Sequence, residues 1–298
     1  MTTATATAPT RAPVVEEPKS AKVLRVLGKA PIQVLLVVVG LLWLVPTFGL
    51  LITSLIAPED FAEGGWWRVF TQPSLLTFEN YQSIWDTQAI RDSLLTTVWI
   101  SVGGTLLPIM VAALAGYAFA WLDFPGRDWA FIGVVALLVV PLQMALIPIF
   151  TLYNKIGIFD TVLSLILFHT AFGLPFAIFL LRNFFIGIPK DILESARIDG
   201  ASELTIFVRL ILPLGLPAIA SLGIFQFLWT WNDLLVGLVF AGSDNAPLTV
   251  AIREQTRQVG ANIELIAPAA FLSMIVPLAV FFAFQRYFAE GLLAGSVK

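Results

Sequence analysis

The sequence contains no cysteine and a single histidine, His169. Without thiols there is no disulfide, no thiolate metal site and no cysteine nucleophile. One imidazole excludes a multi-histidine metal centre within the chain. Charge is also scarce: acidic and basic residues make up 12% of 298, against 58% hydrophobic, with 24 Phe and 9 Trp. A soluble domain of this length needs charged groups over most of its surface, and this chain does not carry enough of them. The net charge of −3 offers no basic field for nucleic acid. No G-x-x-x-x-G-K phosphate cradle occurs, so ATP is not expected to bind this chain.

What is present is apolar length. Six uncharged stretches of 21 to 30 residues run over Ile32–Ile56, Ser93–Leu122, Trp129–Asn154, Thr161–Leu181, Leu210–Asn232 and Leu265–Gln285. Each is long enough, at ~1.5 Å per residue, to cross a ~30 Å hydrocarbon core as a helix. Barrel strands would show ~10-residue alternation instead. The reading is an all-α polytopic membrane protein with six transmembrane helices. The fifth helix is expected to begin near Gly215 and to extend past Asp233 to about Ala241. Prolines at 46, 108, 141, 148, 175 and 277 fall within the stretches and are expected to kink rather than break them. Residues 1 to about 22, rich in Thr, Ala and Pro, lack apolar periodicity and read as a disordered tail. A cleaved signal peptide is not expected, because the apolar run that follows is too long for one.

Lysine and arginine set the orientation. With the N-terminus inside, twelve of the 17 basic residues lie on the cytoplasmic side, and only Arg68, Arg91, Lys155, Arg253 and Arg257 lie outside. Both termini are therefore expected in the cytoplasm. The longest internal loop on that face then contains "ESARIDGAS", Glu194–Ser202. Ile192, Leu193, Ala196 and Ile198 recur at helical spacing, which predicts a short amphipathic helix. Gly200 supplies the positive φ that ends a helix, and Ser202 is an N-cap candidate for the next turn. Pro213 and Pro217 reshape entry into the fifth span. On the residues alone, a solvated connector and a docking element for a cytoplasmic partner both remain open.

"ESARIDG", nine residues and "LILP" together resemble the EAA loop of ATP-binding-cassette importer permeases. Ser195 stands for the central Ala of that motif, and Leu210 for its Ile. "FLLRNFFIGIPKD" before it, "IFQFLWTWNDLLVGLVF" after it, "TFENYQSIW", "PLQMALIPIF" and the C-terminal "GLLAGSVK" are similar to the carbohydrate, maltose-type branch. Asp92 departs from the Asn usual there. The resemblance covers nearly everything after residue 30 and implies the type I importer permease fold. It divides the chain into a cytoplasmic tail over 1–28, a first helix and extracytoplasmic segment over 29–88, a five-helix core over 89–286 with its loop at about 186–213, and a cytoplasmic tail over 287–298. It also implies a sugar permease of a prokaryotic cytoplasmic membrane, without catalytic residues, metal or cofactor of its own. The partners it implies are a second permease, two ATPase subunits that hold ATP and Mg, an extracytoplasmic sugar-binding protein facing Pro58–Arg91, and the lipid bilayer. No nucleic acid is expected.

By this resemblance Glu194, Ser195, Ala196, Asp199, Gly200, Leu210 and Pro213 couple the chain to an ATPase. Glu194 and Asp199 would bond basic or amide groups of the partner, while Ala196 and Gly200 permit close approach. Glu194 capping the loop internally is the alternative. Gly291, Gly295 and Lys298 would reach the ATPase pair. ATP-driven closure would pass through the loop into the third to fifth spans.

Polar groups inside spans cost about 2.5–3.5 kcal/mol for a central carboxylate and often mark a pathway. The candidates are Gln143, His169, Gln226, Asn232 and Asp233. With Trp229, "WTWNDLL" offers aromatic faces and hydrogen-bonding groups suited to sugar rings. The same residue types also join helices, and tryptophan also forms interfacial belts. The family's partner permease carries most of the sugar site. A glycerol-phosphate-like polyol is the alternative cargo. An intramembrane enzyme would need a paired nucleophile and base, and no local motif supplies one. An independent secondary transporter would show inverted repeats, and six spans without such symmetry do not fit it.

Overall fold

The computed structural model describes residues 19–257 and 263–294. Apart from one isolated bridge between Ile56 and Leu76, regular structure among them is helical throughout. The chain divides into Met1–Gly49 and Leu50–Lys298. The first unit holds most of α1 (Lys19–Ser54), which begins ahead of the boundary expected at residue 28. Its side chains from Ile32 to Val45 are exposed, the surface a lipid-facing helix presents.

In the second unit, the segment after α1 is built rather than loose. It contains α2 (Pro58–Ala62), two 3₁₀ turns (Trp66–Phe70, Pro73–Leu75) and α3 (Glu79–Asp86). Buried Asn80 fastens it by donating Nδ2 to the carbonyls of Ile56 (2.7 Å) and Ser54 (3.2 Å). Then follow α4 (Gln88–Trp121), α5 (Arg127–Ala136), α6 (Leu142–Ile156), α7 (Val162–Ile186), α8 (Lys190–Ile198), α9 (Glu203–Ile206), α10 (Leu212–Trp231), α11 (Leu235–Phe240), α12 (Leu248–Arg257) and α13 (Ile263–Ala294).

Among the described residues five single helices have the length and hydropathy of membrane spans, and α5 with α6 forms a sixth only as a bent pair. Here the expectation of a mere kink is overturned: the two halves meet at 100°. Pro141 has no N–H and disfavours helical backbone at the residue before it. Val140 accordingly takes φ −70°, ψ 115°. The helix survives buried Pro108 and Pro175 and also exposed Pro46 and Pro148, so burial does not set Pro141 apart, and the break is seen in the extended backbone at Val140.

The fifth span also departs from expectation. It is helical from Glu203 rather than from near Gly215, and it ends at Trp231 rather than Ala241. Continuity into α10 is kept by a π-helical segment over Phe207–Ile211, where the Leu212 N–H bonds the Phe207 carbonyl. Pro213 has no N–H to offer the carbonyl four residues earlier, and the wider register absorbs that loss. Beyond Trp231 the chain turns, and α11 is a separate short helix whose first turn donates the N–H groups of Val236 (2.9 Å) and Gly237 (3.2 Å) to the Asp233 carboxylate.

The core is the packing of α4, α7 and α10. Ala112 and Ala113 of α4 let α7 approach closely, meeting Ala177, Ile178 and Leu181. Leu193 of α8, Ile206, Phe207 and Ile211 belong to the same cluster, so the loop between α7 and α10 is packed on the bundle's end.

Candidate functional site

The loop after α7 is packed on the bundle's end and hydrogen-bonded within itself. Pro189 precedes α8, and Leu193, fully buried, anchors the helix. On its outer side Lys190 meets Glu194 at 2.7 Å and Ser195 Oγ donates to the Asp191 carbonyl. That bond from Lys190 lowers the pKa of the Glu194 carboxyl and raises that of Lys190. Asp199 closes the helix and Gly200 follows at φ +83°, where an L-side chain is strained. The Gly200 N–H bonds the Arg197 carbonyl and the Ala201 N–H bonds that of Ala196, each at 3.0 Å, a paired closure of the helix end. Ser202 Oγ then accepts the Thr205 N–H (3.3 Å) and starts α9. Leu210 lies in the π-helical segment, and Pro213 enters α10. Helix, left-handed turn and capped helix therefore stand where the sequence pattern puts them.

Three residues missed from sequence stiffen this arrangement. Arg197 Nε donates to Glu203 Oε1 (2.9 Å) and Nη2 to Glu203 Oε2 (3.2 Å), a fork across the Gly200 turn. The same Nη2 reaches the Trp121 carbonyl at 3.4 Å, and the Tyr117 hydroxyl donates to Glu203 Oε2. Bonding to Glu203 raises the Arg197 pKa. Tyr117 and Glu203 are 86 positions apart, and no local spacing links them.

The polar candidates within the spans fall into different settings. Gln226 is buried and donates Nε2 to the carbonyls of Gly104 (3.0 Å) and His169 (3.4 Å), tying α10 to α4 and α7. Gly173 makes room for that amide: a Cβ there would stand 2.6 Å from its nitrogen. His169, Trp229 and Asp233 come together: the His169 and Trp229 rings pack edge to face at 5.0 Å, and His169 Nε2 lies 3.9 Å from Asp233 Oδ2. Asn232 is exposed and donates to the Leu228 carbonyl of its own helix. Gln143 and Asp92 are exposed as well. Gly291 lies in α13, while Gly295 and Lys298 lie outside the described residues. Among the described residues no group of three or more His, Asp or Glu side chains is placed to hold a metal.

Comparison with known proteins matches residues 104–293 to the family described as binding-protein-dependent transport system inner membrane component. The osmoprotective compounds uptake permease protein GgtD of Synechocystis is 47% identical over 275 residues, 91% of this chain and 92% of that protein. The alpha-glucoside transport system permease protein AglG of Rhizobium meliloti is 51% identical over 241 residues, 78% of this chain and 63% of that protein. A crystal structure of a bacterial ABC transporter that imports alginate superposes with a TM-score of 0.74 at 21% identity, covering 92% of this chain and 99% of that one.

Proposed function

From the premise that this chain belongs to the binding-protein-dependent transport system inner membrane components, we propose that it is the permease subunit of an ATP-binding-cassette importer for a neutral, hydroxyl-rich solute of the glucoside class. It is a translocation subunit rather than an enzyme, and it lies in the membrane. In this reading ATP and Mg act on two partner ATPases, a second permease completes the pathway, and an extracytoplasmic binding protein delivers the solute. Both termini lie in the cytoplasm, as the distribution of basic residues favours. The solute class follows from relatives described as carrying alpha-glucosides and osmoprotective compounds. A glycerol-phosphate-like polyol is the alternative cargo.

The observation that carries the docking reading is the closed turn at Gly200 between α8 and α9. A connector that merely avoided the bilayer would need neither a doubly bonded helix end nor a capped restart (φ +83° at Gly200, Ser202 at the cap). A stiff element anchored at both ends suits transmission of nucleotide-driven motion. Glu194, paired with Lys190 in an exposed contact that a partner's cation can replace, is offered to the ATPase together with Asp199, Ser195 and the surface around Gly200. Residues Gly291, Gly295 and Lys298 of the C-terminal segment extend that contact. Trp229 and Asn232 contribute to the solute path near the far end of α10, while Gln226 is committed to helix packing.

The test is purification of the tagged chain from a membrane of its native host. An ATPase retained in stoichiometric amount, with ATP hydrolysis stimulated by the loaded binding protein, is the expected result. A chain purified alone that still moves solute contradicts the proposal. For the path, Asn232→Ala is expected to raise the half-saturating solute concentration, and unchanged uptake removes that residue from it.

A further inference from the structure

We propose that Arg197, Glu203 and Tyr117 form a positioning latch that carries movement of the α8–α9 loop directly into α4, a helix the loop does not adjoin in sequence. This rests on the reading of the loop as the ATPase docking site. It changes the route of coupling: the second span moves with the loop, in addition to the spans on either side of it.

The loop has two places where an applied force could dissipate. One is the left-handed turn at Gly200, and the other is the π-helical segment over Phe207–Ile211, whose wider register is already a departure from α-helix. The Arg197–Glu203 fork spans the first. A planar guanidinium bonded twice to a carboxylate fixes orientation as well as distance, which one flexible lysine contact would not. Glu203 then accepts the Tyr117 hydroxyl, and Arg197 also donates to the Trp121 carbonyl at the end of α4. The second weak place is bridged by apolar contact, for the Phe207 ring packs on Tyr117 at 5.4 Å between centroids. Trp121 in turn donates its indole N–H to the Phe185 carbonyl of α7 at 3.0 Å. The end of α4 is thus bonded to the loop on one side and to α7 on the other. A push on α8 therefore displaces α4 and α7 together with α10, instead of flexing the loop.

The test uses the complete importer in proteoliposomes and records ATP hydrolysis and solute moved per ATP. Glu203→Gln keeps the shape and removes the charge that both partners use. Tyr117→Phe removes one hydroxyl, and Arg197→Lys keeps charge without the fork. ATP hydrolysis is expected within about twofold of the parent, while solute per ATP falls roughly tenfold in Glu203→Gln, the size of a lost charged hydrogen bond. Tyr117→Phe added to Glu203→Gln is expected to cost little more, since both act on one network. The cysteine-free chain allows a second reading, with spin labels at Phe124→Cys and Leu204→Cys. Their separation is expected to hold through the ATP cycle in the parent and to broaden in Glu203→Gln. Equal loss of hydrolysis and transport, or an unchanged ratio with an unchanged separation, overturns the latch while leaving docking intact. A parent complex that retains no ATPase overturns the docking reading and the latch with it.

Discussion

Replacing Gly200 separates backbone geometry from size. At φ +83° an L-residue is strained by about 1–2 kcal/mol, more if β-branched, while asparagine tolerates the left-handed region best after glycine. A Cβ built on Gly200 finds nothing within 4 Å, so no steric clash within the chain adds to this. The order of damage within the chain is therefore expected to be Asn, then Ala, then Val, although Asn is larger than Ala. The assay is amide hydrogen exchange of the loop in nanodiscs. The Gly200 and Ala201 N–H groups close the helix end, and they exchange only when it opens. Gly200→Ala is expected to speed their exchange by roughly tenfold, the equivalent of about 1.4 kcal/mol, with Gly200→Val faster still and Gly200→Asn close to the parent. If Asn opens the loop as much as Val, or if none differs from glycine, the left-handed turn does not hold the loop and the reasoning fails. Solute uptake adds a further comparison: loss of transport in Gly200→Asn with normal exchange points to crowding against a partner.

Gly173→Ala would push its Cβ into the Gln226 amide and break the bond to the Gly104 carbonyl; a cost of about 2–4 kcal/mol is expected, read as a lower unfolding temperature in detergent, and an unchanged temperature contradicts this account of the helix contact. Trp231→Phe removes the donor to the Ser273 carbonyl (2.8 Å) that joins α10 to α13, and a loss of about 1–3 kcal/mol is expected in the same measurement. The Lys190–Glu194 pair has a definite pH signature. Glu194 has a lowered pKa, so its contribution is present above its ordinary value and is lost as pH falls through the depressed one. Lys190 has a raised pKa, so its contribution is lost only as pH rises through the raised value. Lys190→Met is expected to return the Glu194 titration upward to the ordinary carboxylate range by NMR, and no movement would deny the pairing.

Sequence patterning revealed what depends on neighbours along the chain. Apolar runs disclose spans because a helix must fill the bilayer by itself, and Gly200 with Ser202 discloses a turn because end and restart are local events. The bend at Pro141 was not legible in this way, since Pro108 and Pro175 carry the same ring and leave their helices intact. Exposed Pro46 and Pro148 also stay within intact helices, so neither the ring nor its burial marks the break. The early start of the fifth span was hidden similarly, because Arg209 interrupts the uncharged run while the π-helical register carries the helix past Pro213. The role of Gln226 depends on a carbonyl 122 positions away, and that of Glu203 on a hydroxyl 86 positions away. A polar residue in a span reads from sequence as pathway or as packing with equal ease. The partner decides, and the partner is distant.

The central claim, that the loop over about residues 186–213 is where an ATPase meets this chain, is tested most directly by single-cysteine cross-linking in the assembled importer. The chain has no cysteine of its own, so Ser195→Cys on α8 and Ser243→Cys beyond α11 each report one place. Ser195→Cys is expected to cross-link to an ATPase subunit, with a yield that changes when ATP is added, and Ser243→Cys is expected to give no ATPase product. ATPase captured from position 243 and not from position 195 would contradict both the orientation and the docking site.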